Sequence, residues 1–101
     1  MSYWTYLEKL KQENRWDEAI RSLWGYVDAT EEDSLFTGIG VVSRYYEELA
    51  IIFRRKREYM NEIKILTRYT RQRHVHRDSR REVLSQRLEK AKNLLMKATD
   101  Q

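Results

Sequence analysis

The apolar pattern of this sequence repeats at a constant offset of 43 residues. Aromatic residues align with aromatic ones and aliphatic with aliphatic, as in the pairs Tyr3/Tyr46, Trp16/Tyr59, Ile20/Ile63, Leu23/Leu66 and Tyr26/Tyr69. Within each copy the apolar positions are spaced by three and four, which is typical of amphipathic helices. A polar stretch divides each copy, at residues 11–15 and 54–58. The repeat therefore predicts two antiparallel helix pairs.

The composition favours helix throughout. The 101 residues include no proline and three glycines, and 36% of them are charged. Because a chain of this length holds one core, we expect a single all-α domain over residues 1–101. The absence of cysteine excludes disulfides and thiolate metal sites and fits a reducing compartment such as the cytoplasm. No stretch approaches the roughly 18 apolar residues of a membrane span, so we expect no membrane contact.

Boundaries follow from the repeat and from capping patterns. The first hairpin is predicted at about residues 2–27 and the second at about 34–73. In between, residues 28–42 form either a loop or, with Asp33 or Ser34 as N-cap, the start of a long third helix. Ser79 and Glu82 match a capping box and predict a last helix at about residues 80–98, which would cap the stack.

The paired stripes resemble the tetratricopeptide repeat, a helix-turn-helix unit of about 34 residues. The matching residues are Tyr3, Leu7, Leu10, Trp16, Ala19 and Leu23 in the first copy, and Tyr46, Leu49, Ala50, Phe53, Tyr59 and Leu66 in the second. Glu62 departs from the family pattern by replacing a small Ala, and the closing Pro is missing. Residues 49–66 also look like short helical modules of bacterial and phage proteins. The resemblance implies a right-handed helical stack that binds other proteins.

The resemblance also implies a binding groove. Carrying over the family's inner positions places Lys11, Arg44, Arg54 and Arg55 on that surface. Since arginine binds carboxylates bidentately, we expect the groove to take an acidic peptide or an acidic partner protein. The alternative is that residues 54–57 only solvate the end of a helix, where cations are favourable.

A second basic region spans residues 68–81. The candidate phosphate ligands there are Arg71, Arg73, Arg77, Arg80 and Arg81. This density predicts an alternative function as a small nucleic-acid-binding regulatory protein. A solvated polar connection before the last helix explains the same residues, and no interleaved aromatic platform for single strands accompanies them.

No pattern for catalysis, metal binding or a cofactor is present. His74 and His76 lie two residues apart, which would place them on different faces of a helix, and no further ligands complete a metal site. Neither a nucleophile elbow nor a P-loop occurs. Glu62, set in an apolar stripe, is expected to be partly buried and paired with an Arg or Lys. We therefore expect a non-enzymatic protein without a metal or cofactor.

The N-terminal third is rich in aromatic residues. Trp4 and Trp24 fall outside the main apolar stripes and are expected to face solvent. Exposed aromatic side chains favour docking of another subunit, so these two residues are candidates for homo-oligomer formation. Together these patterns predict a protein-interaction module or adaptor.

Overall fold

The computed structural model describes residues 2–75 and 78–100. Over these residues the chain forms five α-helices: α1 (Tyr3–Gln12), α2 (Trp16–Thr37), α3 (Ser43–Arg55), α4 (Tyr59–Thr70) and α5 (Arg81–Thr99). Each helix packs against the next in chain order, and α3 also contacts α5. The predicted all-α class is confirmed, whereas membership of the tetratricopeptide repeat stays a prediction.

The 43-residue repeat is present in the backbone as well as in the sequence. Asn14 and Arg57 occupy equivalent places in the two turns. In the first turn, the Arg15 amide donates to the Leu10 carbonyl at 2.8 Å. In the second, the Glu58 amide donates to the Phe53 carbonyl, also at 2.8 Å. The α1–α2 and α3–α4 connections are therefore the same turn.

The predicted start of the third helix is wrong, because the extra residues lengthen α2 instead. Thr30 and Ser34 are buried and continue the buried stripe of α2, so these turns stay attached to the core. The helix ends where Gly38 adopts a left-handed conformation with φ of 76°. The second helix pair consequently begins at Ser43 rather than near residue 34, and the connection is shorter than residues 28–42.

The last helix lies within one residue of the predicted bounds at each end, but the predicted capping box does not form. Arg80 is the N-cap residue and makes no side-chain cap. Asp78 replaces Ser79 in this role: its carboxylate accepts a hydrogen bond from the Arg80 amide at 3.0 Å. The Tyr69 hydroxyl also donates to Asp78, at 2.5 Å. Asp78 therefore ties the start of α5 to α4.

Two tyrosines anchor the middle of the core. Tyr46 of α3 and Tyr69 of α4 are fully buried, and their ring centres lie 5.2 Å apart. The Tyr46 hydroxyl donates to Glu31 of α2 at 2.8 Å. Glu31 also accepts two hydrogen bonds from Arg68 of α4, at 2.7 and 2.8 Å. These polar contacts link α2, α3 and α4 where the apolar core thins.

Glu62 forms the buried ion pair that its position predicts. Its side chain is 0% exposed, and Arg54 approaches both carboxylate oxygens at 2.9 and 3.0 Å. Arg87 of α5 completes the group, with Nε 3.1 Å from Glu62 Oε2. Burial, followed by the neighbouring charge of Arg54, lowers the pKa of Arg87. One carboxylate thus joins α3, α4 and α5.

Candidate partner-binding cleft

One side of α3 faces α1 and carries a row of four side chains. Arg44, Glu48, Ile51 and Arg55 follow one another at spacings of four, three and four residues, which places them on one side of the helix. At about 1.5 Å rise per residue, the two arginine backbones are roughly 16 Å apart along the helix. The row therefore has a cation at each end.

The negative charge of Glu48, in the middle of this row, is neutralised by Lys11 of α1. Lys11 Nζ donates to Glu48 Oε2 at 2.6 Å, and both side chains are largely buried. Lys11 also lies 3.6 Å from Glu8. Lys11 therefore belongs to the predicted groove but has carboxylate partners within the protein.

Each terminal arginine lies over a tryptophan. The Arg44 guanidinium is 3.6 Å from the centre of the Trp4 ring, and the Arg55 guanidinium is 5.1 Å from that of Trp16. Both arginines are exposed, and neither has an ion-pair partner in the part of the chain that the structure describes. Stacking on an aromatic ring holds a guanidinium in place while leaving its N–H edges available to a ligand.

A cleft of about 410 Å³ opens at the Arg55 end of the row. Its walls are formed by the end of α1, the first turn and the last turns of α3, with lining residues Glu8, Lys11, Gln12, Asn14, Trp16, Ile51, Ile52 and Arg55. Ile51 is 37% exposed and supplies an apolar contact between the charged ends of the row. The cleft thus combines the exposed apolar side chain of Ile51 with a cation, Arg55, that has no carboxylate partner among the described residues.

Arg54 does not reach this cleft. Its side chain points to the opposite side of α3, where it binds Glu62 and donates to the Arg87 carbonyl at 3.0 Å. Of the four predicted groove residues, the structure places three, Lys11, Arg44 and Arg55, on the α1–α3 face. The fourth, Arg54, is partly exposed and binds the buried Glu62.

Trp4 and Trp24 are half-buried rather than fully solvent-facing. Both pack against the core, Trp4 in a stack with Tyr45 at 5.5 Å between ring centres. Trp24 lies under the Arg68 guanidinium at 5.4 Å. These contacts show that both tryptophans pack between helices. Self-association through them stays a prediction.

The basic segment does not form one continuous stripe. Arg80 is paired with Glu47 of α3, and Arg81 lines a small pocket with His74 and Ser85. Arg71 and Arg73 are exposed near the end of α4. The predicted phosphate ligand Arg77 and the histidine His76 lie outside the described residues. Nucleic-acid binding by this segment stays a prediction.

The described residues offer neither a metal cluster nor a membrane span. Within residues 2–75 and 78–100, no group of three or more His, Cys, Asp or Glu side chains converges to hold an ion. None of the helices in those ranges is long and apolar enough to cross a bilayer.

Sequence reasoning missed a second surface, at the end of α2. Leu35, Phe36 and Ile39 are 89%, 93% and 64% exposed, and all three lie within residues 28–42, which were predicted to form a loop or the start of a third helix. Gly38 was the sequence signal that could have located the end of α2, since glycine is the commonest residue at the end of a helix.

The sequence matches no known family model, and no curated protein or solved structure shows significant similarity to it. The function is therefore argued from this chain's own residues.

Proposed function

We propose that the protein is a non-enzymatic interaction module that binds an acidic segment of a partner protein along the α1–α3 face. The supporting observation is the pair Arg44 and Arg55, which stand at the two ends of one face of α3 without a carboxylate partner among the described residues. Each is fixed over a tryptophan, so less side-chain entropy is lost when a carboxylate binds.

The spacing of these arginines defines the ligand. An extended peptide rises about 3.3 Å per residue, so two carboxylates five residues apart span the roughly 16 Å between Arg44 and Arg55. Between them, an apolar side chain of the peptide would contact Ile51. We therefore propose an extended partner with acidic residues at positions i and i+5 and an apolar residue between.

The Lys11–Glu48 pair sharpens this selectivity. Because the centre of the row is internally neutralised at 2.6 Å, a carboxylate placed there gains no unpaired cation. A peptide with uniformly distributed negative charge would leave acidic groups facing Glu48. We therefore expect the protein to discriminate between peptides by the spacing of their acidic residues rather than by their total negative charge.

The test is a series of fluorescein-labelled extended peptides of equal net charge, in which the separation of two Glu residues varies from three to seven positions around a central Leu. Fluorescence anisotropy reports binding. We expect the tightest binding at a separation of five, and about a tenfold or greater loss in the variant Arg44→Glu/Arg55→Glu.

The matched control is Arg21→Glu/Lys90→Glu, which makes the same change in net charge at exposed positions of α2 and α5. It should bind the best peptide as the wild type does. Binding that ignores the Glu spacing and falls equally in both variants would refute the proposal. Stronger binding of mixed-sequence RNA, unaffected by Arg44→Glu/Arg55→Glu, would instead favour the nucleic-acid alternative.

A further inference from the structure

The end of α2 carries an apolar patch that has no role in the proposed peptide cleft. It consists of Leu35 and Phe36 in the last helical turn, Ile39 and Val42 in the following loop, and Val75, whose backbone lies against Gly40 of that loop. We call these five residues the α2-end patch. Their exposed fractions range from 44% to 93%. Large exposed apolar side chains concentrated in one region mark interaction sites.

The backbone that presents the patch is fixed. The Val41 amide donates to the Arg73 carbonyl at 3.0 Å, and the Val42 amide donates to the Thr30 hydroxyl at 2.9 Å. Gly40 packs so closely on residues 74 and 75 that a Cβ there would lie 2.1 Å from the Val75 nitrogen. The apolar side chains are thus displayed by the end of a helix and by a hydrogen-bonded loop, which reduces the entropic cost of binding.

Charges of both signs border the patch. Glu32 and Asp33 precede it on α2, and Arg73 reaches its loop by donating to the Gly38 carbonyl at 3.4 Å. Arg71 is exposed close by in the chain. None of these four has an ion-pair partner among the described residues. A border with two acids and two arginines can complement a second copy of itself, because a two-fold rotation can pair the acids of one copy with the arginines of the other.

The size of the patch agrees with such a pairing. The five side chains expose on the order of 600 Å² in each copy. Two copies facing each other would bury about 1,200 Å², the lower bound for a specific interface. We infer that the α2-end patch is a two-fold interface between two copies of this chain, and that the protein is a weak homodimer with its two peptide clefts left open.

The test is sedimentation equilibrium of the full chain from about 10 µM to 1 mM, a range that brackets the affinity of a small interface. We expect a monomer–dimer equilibrium. Leu35→Ser/Phe36→Ser should raise the dissociation constant about 100-fold, since these two side chains are the most exposed of the patch. The control Met60→Ser/Met96→Ser removes exposed apolar side chains elsewhere and should leave the equilibrium unchanged.

Charge-reversal variants test whether the α2-end patch binds a second copy of the chain or a different partner. Glu32→Arg/Asp33→Arg and Arg71→Glu/Arg73→Glu should each be monomeric, whereas an equimolar mixture of the two should dimerise. Circular dichroism confirms that each variant is folded. A wild-type chain that stays monomeric at about 1 mM would overturn the inference. So would a dimer that the patch substitutions leave unchanged.

Discussion

Asn14 and Arg57 lie 43 residues apart and both adopt a left-handed backbone conformation, with φ of 57° and 60°. In each turn the amide of the next residue donates to the carbonyl five positions back, and the distance is 2.8 Å in both. The same geometry is thus formed by two different residues, one of which tolerates it well and one poorly.

Replacing Arg57 by glycine should stabilise the protein. A left-handed conformation costs an ordinary L-residue about 1 kcal/mol, and glycine avoids this cost despite its larger unfolded-state entropy. We expect the free energy of unfolding to rise by about 0.5 kcal/mol in Arg57→Gly and by less in Asn14→Gly, because Asn adopts this conformation readily. Urea denaturation measures both. A destabilised Arg57→Gly would show that its side chain matters more than the turn.

Removing the buried carboxylate should destabilise the core strongly. Glu62→Ala leaves the charges of Arg54 and Arg87 without their shared partner, and such a loss costs about 3–5 kcal/mol. The triple variant Glu62→Ala/Arg54→Met/Arg87→Met should recover most of that loss, because no unpaired charge remains. Thermal and urea unfolding test this. Additive destabilisation in the triple variant would contradict it.

Stability should fall above pH 10 because of the buried tyrosines. Burial raises the pKa of Tyr46 above its usual 10.0, and the hydrogen bond to Glu31 raises it further. Burial and Asp78 likewise raise the pKa of Tyr69. The unfolded chain therefore releases these protons first, so the stabilisation is complete below pH 10 and is lost as the pH rises. Urea unfolding at pH 8 to 11 should show this slope, reduced in Tyr46→Phe; equal slopes in both proteins would refute it.

A smaller loss of stability is expected on mild acidification. Burial, and then the charge of Arg81, lower the pKa of His74 from its usual 6.5. The unfolded chain binds the proton first, so stability is complete above pH 6.5 and falls below it by at most about 1.4 kcal/mol per pH unit. His74→Phe keeps the ring against Tyr69 and should remove this part of the slope between about pH 5 and 6.5. An unchanged slope would place its origin elsewhere.

The repeat explains why much of the fold could be predicted. Residues three and four apart in each copy become buried together, and the polar stretches at 11–15 and 54–58 contain the turns. The prediction failed where this regularity ends. Leu35 and Ile39 fit the spacing of the following helix, yet the buried Thr30 and Ser34 keep the chain in α2 up to Gly38. A prediction based on the spacing of apolar residues does not detect buried positions that are occupied by polar residues.

Part of the candidate site could also be predicted from the sequence. The resemblance to the tetratricopeptide repeat assigned Arg44 and Arg55 to one groove, and both lie on the surface of α3 that faces α1. The same resemblance assigned Arg54 to this groove, whereas the turn of about 100° per residue directs its side chain away from that of Arg55 and toward Glu62. The contacts of Arg87 with Glu62 depend on how α5 docks, which local sequence does not encode.

The three tryptophans allow the most direct test of the proposed cleft. Each indole N–H gives a separate proton–nitrogen NMR signal, and only Trp4 and Trp16 lie under the arginines of the α1–α3 face. The measurement is a titration of isotope-labelled protein with the peptide that carries Glu at positions i and i+5. We expect the Trp4 and Trp16 signals to shift while the signal of Trp24, under Arg68, stays in place. Shifts confined to Trp24, or no shift at saturating peptide, would contradict it.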